Sequence, residues 1–292
     1  MSDGMHDFIN ACSLEVAAKA MPALRGEAGR IARGTTISIP YLPSESDDAR
    51  LAAARTVRAL GLEPMPHLSA RRIESRAALE RFLDRAVAEA GVERCLLIAG
   101  DLSRPAGPFP DSASLIETGL LERAGIRTVG VGGHPEGHPV MAVAERWHAL
   151  ETKCRSIEER GMAPLIITQF AFDAEVVLAW LQALRNRDII HPVLVGIPGP
   201  ASIPRLIRYA AMCGVGASAS ALSRYGISIG RLVGTAGPDV FVDRLVSGLT
   251  PGHGRVSPHL FPFGGIATSL AWLERYRHRM GAAGVGAVGR PS

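Results

Sequence analysis

The residues Gly132–Pro139 read GGHPEGHP and place His134, Glu136 and His138 within one short stretch. These side chains ligate metals, move protons or shape a loop. A metal site needs neutral imidazoles and a carboxylate that converge. Proline follows both histidines, which holds the backbone extended and turning and argues against a helical i, i+4 ligand pair. No metal is expected, and the segment reads as a shaped loop at the end of a strand. Other polar residues stand where apolar runs end: Glu15, Tyr41, His67, Asp101, Gln169 and His259. Carboxyls and imidazoles of this kind suit proton transfer, and the Gln169 amide both donates and accepts hydrogen bonds.

Whether these residues meet depends on the elements that carry them. The strand candidates are CSLEV (12–16), TTISIPY (35–41), EPMPHLS (63–69), RCLLIAGD (94–101), RTVGVGG (127–133), PLIITQFAF (164–172), HPVLVGIPG (191–199) and SPHLFPF (257–263). Between them lie stretches of helical periodicity, such as SESDDARLAAARTVRALG, SRAALERFLDRAVAEAG and DAEVVLAWLQALRNRD. Ser44 or Ser46 is placed to cap the first of these, and Gly61 to end it. Strand–helix repeats of this spacing predict parallel strands closed into a (β/α)8 TIM barrel, a single domain over 1–283 with a flexible tail at 284–292. The rival is an open doubly wound sheet, but no GxGxxG follows the first strand and there is no GxxxxGK[ST] loop. In a barrel, catalytic groups gather at the C-terminal ends of the strands. Residues scattered in sequence then become neighbours around one mouth.

At 292 residues and 47% hydrophobic, the chain can bury a large core, and its net charge of +4 fits an anionic ligand. No basic run with interleaved aromatics occurs, so no nucleic-acid partner is expected. The four cysteines are far apart and form no CxxC, which argues against a zinc cluster or a disulfide framework. Neither a secretory signal nor a membrane span is expected, and the chain reads as cytoplasmic.

The motifs SLEV, LEPMPHLS, AGD, GHPEGHP, IITQFAFD, VGIPGP and PHLFPF resemble, in order and spacing, the methylenetetrahydrofolate reductase family over roughly residues 12 to 280. The resemblance is to the short bacterial, single-domain members. It implies a flavoprotein oxidoreductase that interconverts 5,10-methylene- and 5-methyltetrahydrofolate, with FAD as hydride carrier, NAD(P)H as a possible electron partner, and barrels that associate as homo-oligomers. Glu15 matches the family's acid. A carboxyl in an apolar mouth keeps its proton through desolvation, and the departing N10 of the folate needs one. The alternative is an ion-paired strand-end glutamate. Asp101 matches the aspartate expected to grip the pterin and to tune the flavin, while GDLSRP also suits a helix N-cap. Gln169 is expected at the folate, with Phe263 beside it, whereas Thr168 should face the other way and be structural. Tyr41 and Ser38, His67, Gly100, His134 and His138 line the flavin by the same resemblance, and Lys153 and Arg155 are the candidates for its phosphates.

The sequence also departs from the family. Ala99 stands where an arginine usually precedes Gly-Asp. The segment from His138 to Gln169 is shorter, Ile203 occupies the place of a stacking aromatic, and HLFPFGG has lost an arginine. These losses should weaken reduced nicotinamide more than pterin chemistry, which suggests turnover in the methyltetrahydrofolate-oxidising direction. A flavin-independent oxidoreductase using NAD(P)H directly, a non-catalytic folate-binding paralog and a metal-dependent lyase on the same barrel are the alternatives.

Overall fold

Eight parallel strands carry the site: β1 (Ser13–Glu15), β2 (Thr36–Ile39), β3 (Glu63–Ser69), β4 (Arg94–Ile98), β5 (Thr128–Gly133), β6 (Ala163–Phe170), β7 (Val193–Pro198) and β10 (Val256–Phe261). They close on themselves in the order β1–β10–β7–β6–β5–β4–β3–β2. This is a computed structural model, which describes residues 8–9, 11–213, 215, 225 and 235–286. The expected (β/α)8 barrel is what the chain forms. Several strands stop short of their expected ends, so Tyr41, Asp101 and Phe263 lie in the loops beyond β2, β4 and β10. An antiparallel pair that sequence reading does not foresee, β8 (Ala201–Ser202) with β9 (Thr235–Ala236), follows β7.

The outer layer comprises α1 (Met21–Glu27), α2 (Asp47–Ala59), α3 (Arg76–Ala90), α4 (Ser112–Glu117), α5 (Leu120–Ala124), α6 (Val143–Glu159), α7 (Ala174–Arg185), α8 (Ile203–Met212), α9 (Asp239–Gly248) and α10 (Ile266–Gly286). Their ends follow from local chemistry. Ser46, rather than Ser44, caps α2 by accepting the Ala49 N–H at 3.2 Å, and Asp47 and Asp48 add negative charge at the positive end of the helix dipole. Gly61, at φ +75°, turns the chain out of α2. Ser75 and Asp173 cap α3 and α7 in the same way. The last helix runs through Gly286, past the expected barrel end at 283, and the rest of the expected tail, 287–292, lies outside the described residues.

Parallel register decides which residues share the inside of the ring. Ser13 pairs with His259, Glu15 with Ser38, Ser38 with Met65, and His67 with Leu96. Since side chains alternate along a strand, these residues all face inward. A small apolar plug of Met65, Leu96 and Ile167 fills the middle of the ring. The polar layer of Glu15, Ser38, His67 and His259 sits above it, toward the C-terminal ends. The main core lies outside the ring, between strands and helices. Cys12, Cys95 and Cys154 are buried within it as free thiols, each pushed up to about 12 by burial, so they behave as apolar filler. Among the described residues, no helix is long and apolar enough to cross a membrane.

One irregularity matters for the site. The pairing of β6 with β7 slips between Ile167 and Phe170, leaving one extra residue on β6. Thr168, which is buried, closes the gap by accepting the Gly196 N–H at 2.8 Å. Thr168→Val strands that buried donor, and we expect a loss of about 1–3 kcal/mol in chemical denaturation. A smaller change would mean that the bulge is held by packing alone.

Candidate active site

Glu15 is the last residue of β1, the short strand that joins the first part of the chain to the last. Its Oε2 lies 3.6 Å from His67 Nε2 on β3 and 3.9 Å from His259 Nε2 on β10. Each imidazole is anchored by a serine. Ser38 Oγ lies 2.7 Å from His67 Nε2, and Ser13 Oγ lies 2.8 Å from His259 Nδ1. The Ser13 hydroxyl donates to the Pro258 carbonyl at 3.4 Å, so it accepts from His259 Nδ1–H. Nε2 of His259 faces Glu15. Nε2 is fully buried and has no hydrogen-bond partner among the described residues. Burial pushes the His67 imidazole down to about 4, against the pull of Glu15, so His67 is neutral near pH 7. The wall around the carboxyl is therefore two imidazoles rather than the apolar mouth expected from sequence.

Asp101 lies beyond the end of β4 with both oxygens engaged. Arg72 Nε and the second Arg72 nitrogen donate to it at 2.7 and 2.8 Å, and this guanidinium holds the carboxyl below the usual carboxylate range. The loop is fixed by Gly100, which has a φ of +92° and where a Cβ would fall 2.2 Å from Ser69 Oγ, so no side chain is admitted. The arginine absent at Ala99 thus has a counterpart in Arg72, which sequence reading misses. Tyr41 is flanked by two guanidiniums, Arg50 at 4.7 Å and Arg72 at 5.5 Å from its ring centre. Arg50 is buried and donates to the His67 carbonyl, which ties this cluster to the imidazoles.

Gln169 sits at the β6 bulge, and its Oε1 accepts the Phe170 N–H at 3.1 Å. One lone pair of the amide oxygen is thus spent at the bulge, and the NH2 group remains. Phe170 packs edge-on against Phe261 and Phe263. Phe263 in turn stacks on Tyr209 of α8, with ring centres 4.1 Å apart and planes 12° from parallel. Ile203, expected to face a ligand in place of an aromatic, is buried at the start of α8. Tyr209, six residues on, supplies the aromatic surface instead. It hides in an amphipathic helix where any Tyr reads as packing.

The GGHPEGHP loop follows β5. The rings of His134 and His138 meet edge-to-face at 4.9 Å. Glu136 turns away from them and accepts the Phe172 and Asp173 N–H groups at 2.7 and 3.2 Å. Among the described residues no three His, Cys, Asp or Glu side chains converge as metal ligands. Burial pushes His134 down to about 4, with His138, Lys153 and Arg146 adding to the effect. Burial also lowers Lys153, against the pull of Cys154 and Asp111. Arg146 donates to the His134 carbonyl at 3.0 Å, and its buried Nε has no acceptor among the described residues. This concentration of donors suits an anionic group. Arg155 does not belong to it. It shares a cavity wall with Glu158, Arg187 and His191 at the far end of α6, toward the strand N-termini, because it lies on the opposite side of its helix.

Glu15, Asp101 and Gln169 therefore share the C-terminal rim, since all three stand at the ends of parallel strands. Only Glu15 presents an uncommitted functional group among imidazoles.

The family model described as methylenetetrahydrofolate reductase matches residues 28–227. The span takes in His67, Gly100, Asp101, the GGHPEGHP loop and Gln169, and leaves Glu15, His259 and Phe263 outside. Among solved structures, the chain is similar to dihydropteroate synthase (FolP) from Thermus thermophilus, at 16% identity over 90% of this chain and 93% of that one, with a TM-score of 0.47. It is also similar to Burkholderia cenocepacia dihydropteroate synthase, at 17% identity over 93% and 92% of the two chains, with a TM-score of 0.49. Both scores lie under 0.5, and the barrel rests on its own strand order.

His67 and His134 each fall to about 4 in the fold, below an unfolded value of roughly 6.5. Between these values the unfolded chain binds more protons, so stability falls as pH drops from about 6.5 to about 4. Urea midpoints across that range should show it, and His67→Gln should flatten the slope by up to about 1.4 kcal/mol per pH unit. An unchanged slope would place a charged His67 in the fold.

Proposed function

The chain belongs to the methylenetetrahydrofolate reductase family, and from that membership, which makes it a folate-related oxidoreductase, we propose that its C-terminal rim interconverts 5,10-methylene- and 5-methyltetrahydrofolate with FAD as the hydride carrier. The observation that carries the reading is the Glu15 carboxyl set 3.6 and 3.9 Å from the imidazoles of His67 and His259.

In the reducing direction the bond between the methylene carbon and N10 breaks, its electron pair stays on N10, and N10 takes the Glu15 proton. The 5-iminium so formed gains a hydride and becomes the N5-methyl group. In reverse, hydride leaves the methyl carbon, N10 closes on the iminium, and its proton returns to Glu15. FAD, when bound, supplies and accepts that hydride. Lys153 and Arg146 would hold its phosphates, the His134–His138 loop would lie along it, and Tyr41, His67 and Gly100 would line its ring. His67 and His259 flank the acid and screen its proton from open water. Gln169 donates its free NH2 to the pterin. Asp101, held by Arg72, meets the pterin edge with its remaining lone pairs. The Phe263–Tyr209 stack offers a flat surface to the benzoyl portion of the folate or to a nicotinamide.

The direction of turnover follows the potential of the electron partner, and oxidation of methyltetrahydrofolate by an acceptor other than nicotinamide stands as part of the proposal. Homo-oligomeric association through the outer helices and a cytoplasmic setting belong to it as well.

Glu15→Gln keeps the shape and removes the transferable proton. Turnover should fall by about 10²–10⁴-fold, while the visible flavin spectrum and folate binding remain. Anaerobic mixing with methyltetrahydrofolate should bleach the flavin of the wild type. Wild-type turnover in Glu15→Gln, or a protein that takes up no FAD, would overturn the proposal.

A further inference from the structure

The largest cavity described is not at the rim that carries Glu15. It has a volume of about 750 Å³ and is walled by residues at the N-terminal ends of the strands: Arg33 and Thr36 near β2, Arg94 on β4, Thr128 on β5 and Arg255 before β10. Arg94 pairs in register with Thr128 and lies two residues before the inward-facing Leu96, so it also points into the ring.

The charge on this wall is unbalanced. Three guanidiniums and His191 face one carboxylate, Glu158, which lies 3.8 Å from that imidazole. None of the three arginines is paired with a carboxylate among the described residues. Arg94 spends one nitrogen on the Thr36 hydroxyl at 3.1 Å, and its Nε is buried with no acceptor among the described residues. Arg30, Arg58, Arg72 and Arg85, by contrast, are each paired with a carboxylate. A cluster left uncompensated repels itself unless an anion enters.

The donor count decides the class of anion. Each guanidinium presents a planar fork of N–H groups. Three forks exceed what the two oxygens of one carboxylate accept, whereas the terminal oxygens of a phosphate or diphosphate satisfy them. The volume is that of a small-molecule site, with room beyond a bare phosphate.

We propose that the cavity at the base of the barrel is a binding site for a small phosphate-bearing anion, separate from the redox rim. The base of a barrel ordinarily serves stability. Here it carries ligand chemistry too.

Calorimetric titration of the FAD-saturated full-length protein with inorganic pyrophosphate at low ionic strength tests this, since the cofactor then occupies the phosphate cradle at the other rim. We expect one binding event, weakened at least tenfold in Arg94→Met and in the Arg33→Gln/Arg255→Gln double variant, and weakened by added salt. The double variant changes only exposed side chains and tests the site even where Arg94→Met fails to fold. No binding to the wild type, or binding undiminished in the double variant, would overturn the proposal. Failure of FAD to bind would count against the redox reading and leave the titration of the base to be judged on the same arginine variants.

Discussion

The contact on which the site depends is the pairing of β1 with β10. It closes the ring by joining residues nearly the full length of the chain apart, with Ser13 opposite His259 and Leu14 opposite Leu260. β1 is only three residues long. Few ladder bonds hold it, and its buried Leu14 and the neighbouring Val16 do much of the anchoring. A slip of one residue would exchange the inward and outward faces, sending Glu15 into the helix layer and Leu14 into the polar mouth. The burial of Leu14 and the solvation of Glu15 therefore enforce one register between them. The Ser13–His259 bond is its consequence, since both side chains point inward at the same level.

Two electrostatic environments occupy the rim. On the β1–β3 side, acids meet either imidazoles, as at Glu15, or a guanidinium, as at Asp101. On the β5–β6 side, His134, Arg146 and Lys153 collect as donors, and Glu136 is drawn off to the backbone of Phe172 and Asp173. Burial raises the Glu136 carboxyl, but the two N–H bonds work against that rise. Had Glu136 faced His134 and Lys153 instead, it would have neutralised the cradle. The turning made by the two His-Pro pairs thus serves electrostatics by aiming one carboxylate away.

How much of this is legible in the sequence follows from the range of the interactions. Alternation and apolar runs are local, so the eight barrel strands and the rim residues Glu15, His67 and Gln169 can be placed from their own neighbourhoods. The Ser13–His259 anchor cannot, because it needs the register of the first strand against the last. Nor can Arg72 be matched to Asp101 across 29 residues. The slip in β6 is likewise invisible, for nothing in IITQFAFD marks an extra residue. Arg155 misleads because basic character alone does not say which side of α6 carries it. Tyr209 escapes notice because the place of the aromatic points to Ile203, one and a half turns earlier on the same helix.

The bulge in β6 links these local readings to the proposed chemistry. An extra residue leaves the Phe170 N–H without its ladder partner, and the Gln169 side chain supplies the acceptor. The amide is thereby fixed in one orientation, with oxygen toward the backbone and nitrogen free, as an unpaired buried N–H demands. The NH2 group is thereby left to meet a ligand. Further along the same turn, Glu136 grips the backbone at Phe172 and Asp173, so the loop after β5 and the strand carrying Gln169 are tied together. A ligand held by that loop and one met by Gln169 are consequently positioned by one rigid segment, and their separation is set by backbone hydrogen bonds rather than by flexible side chains.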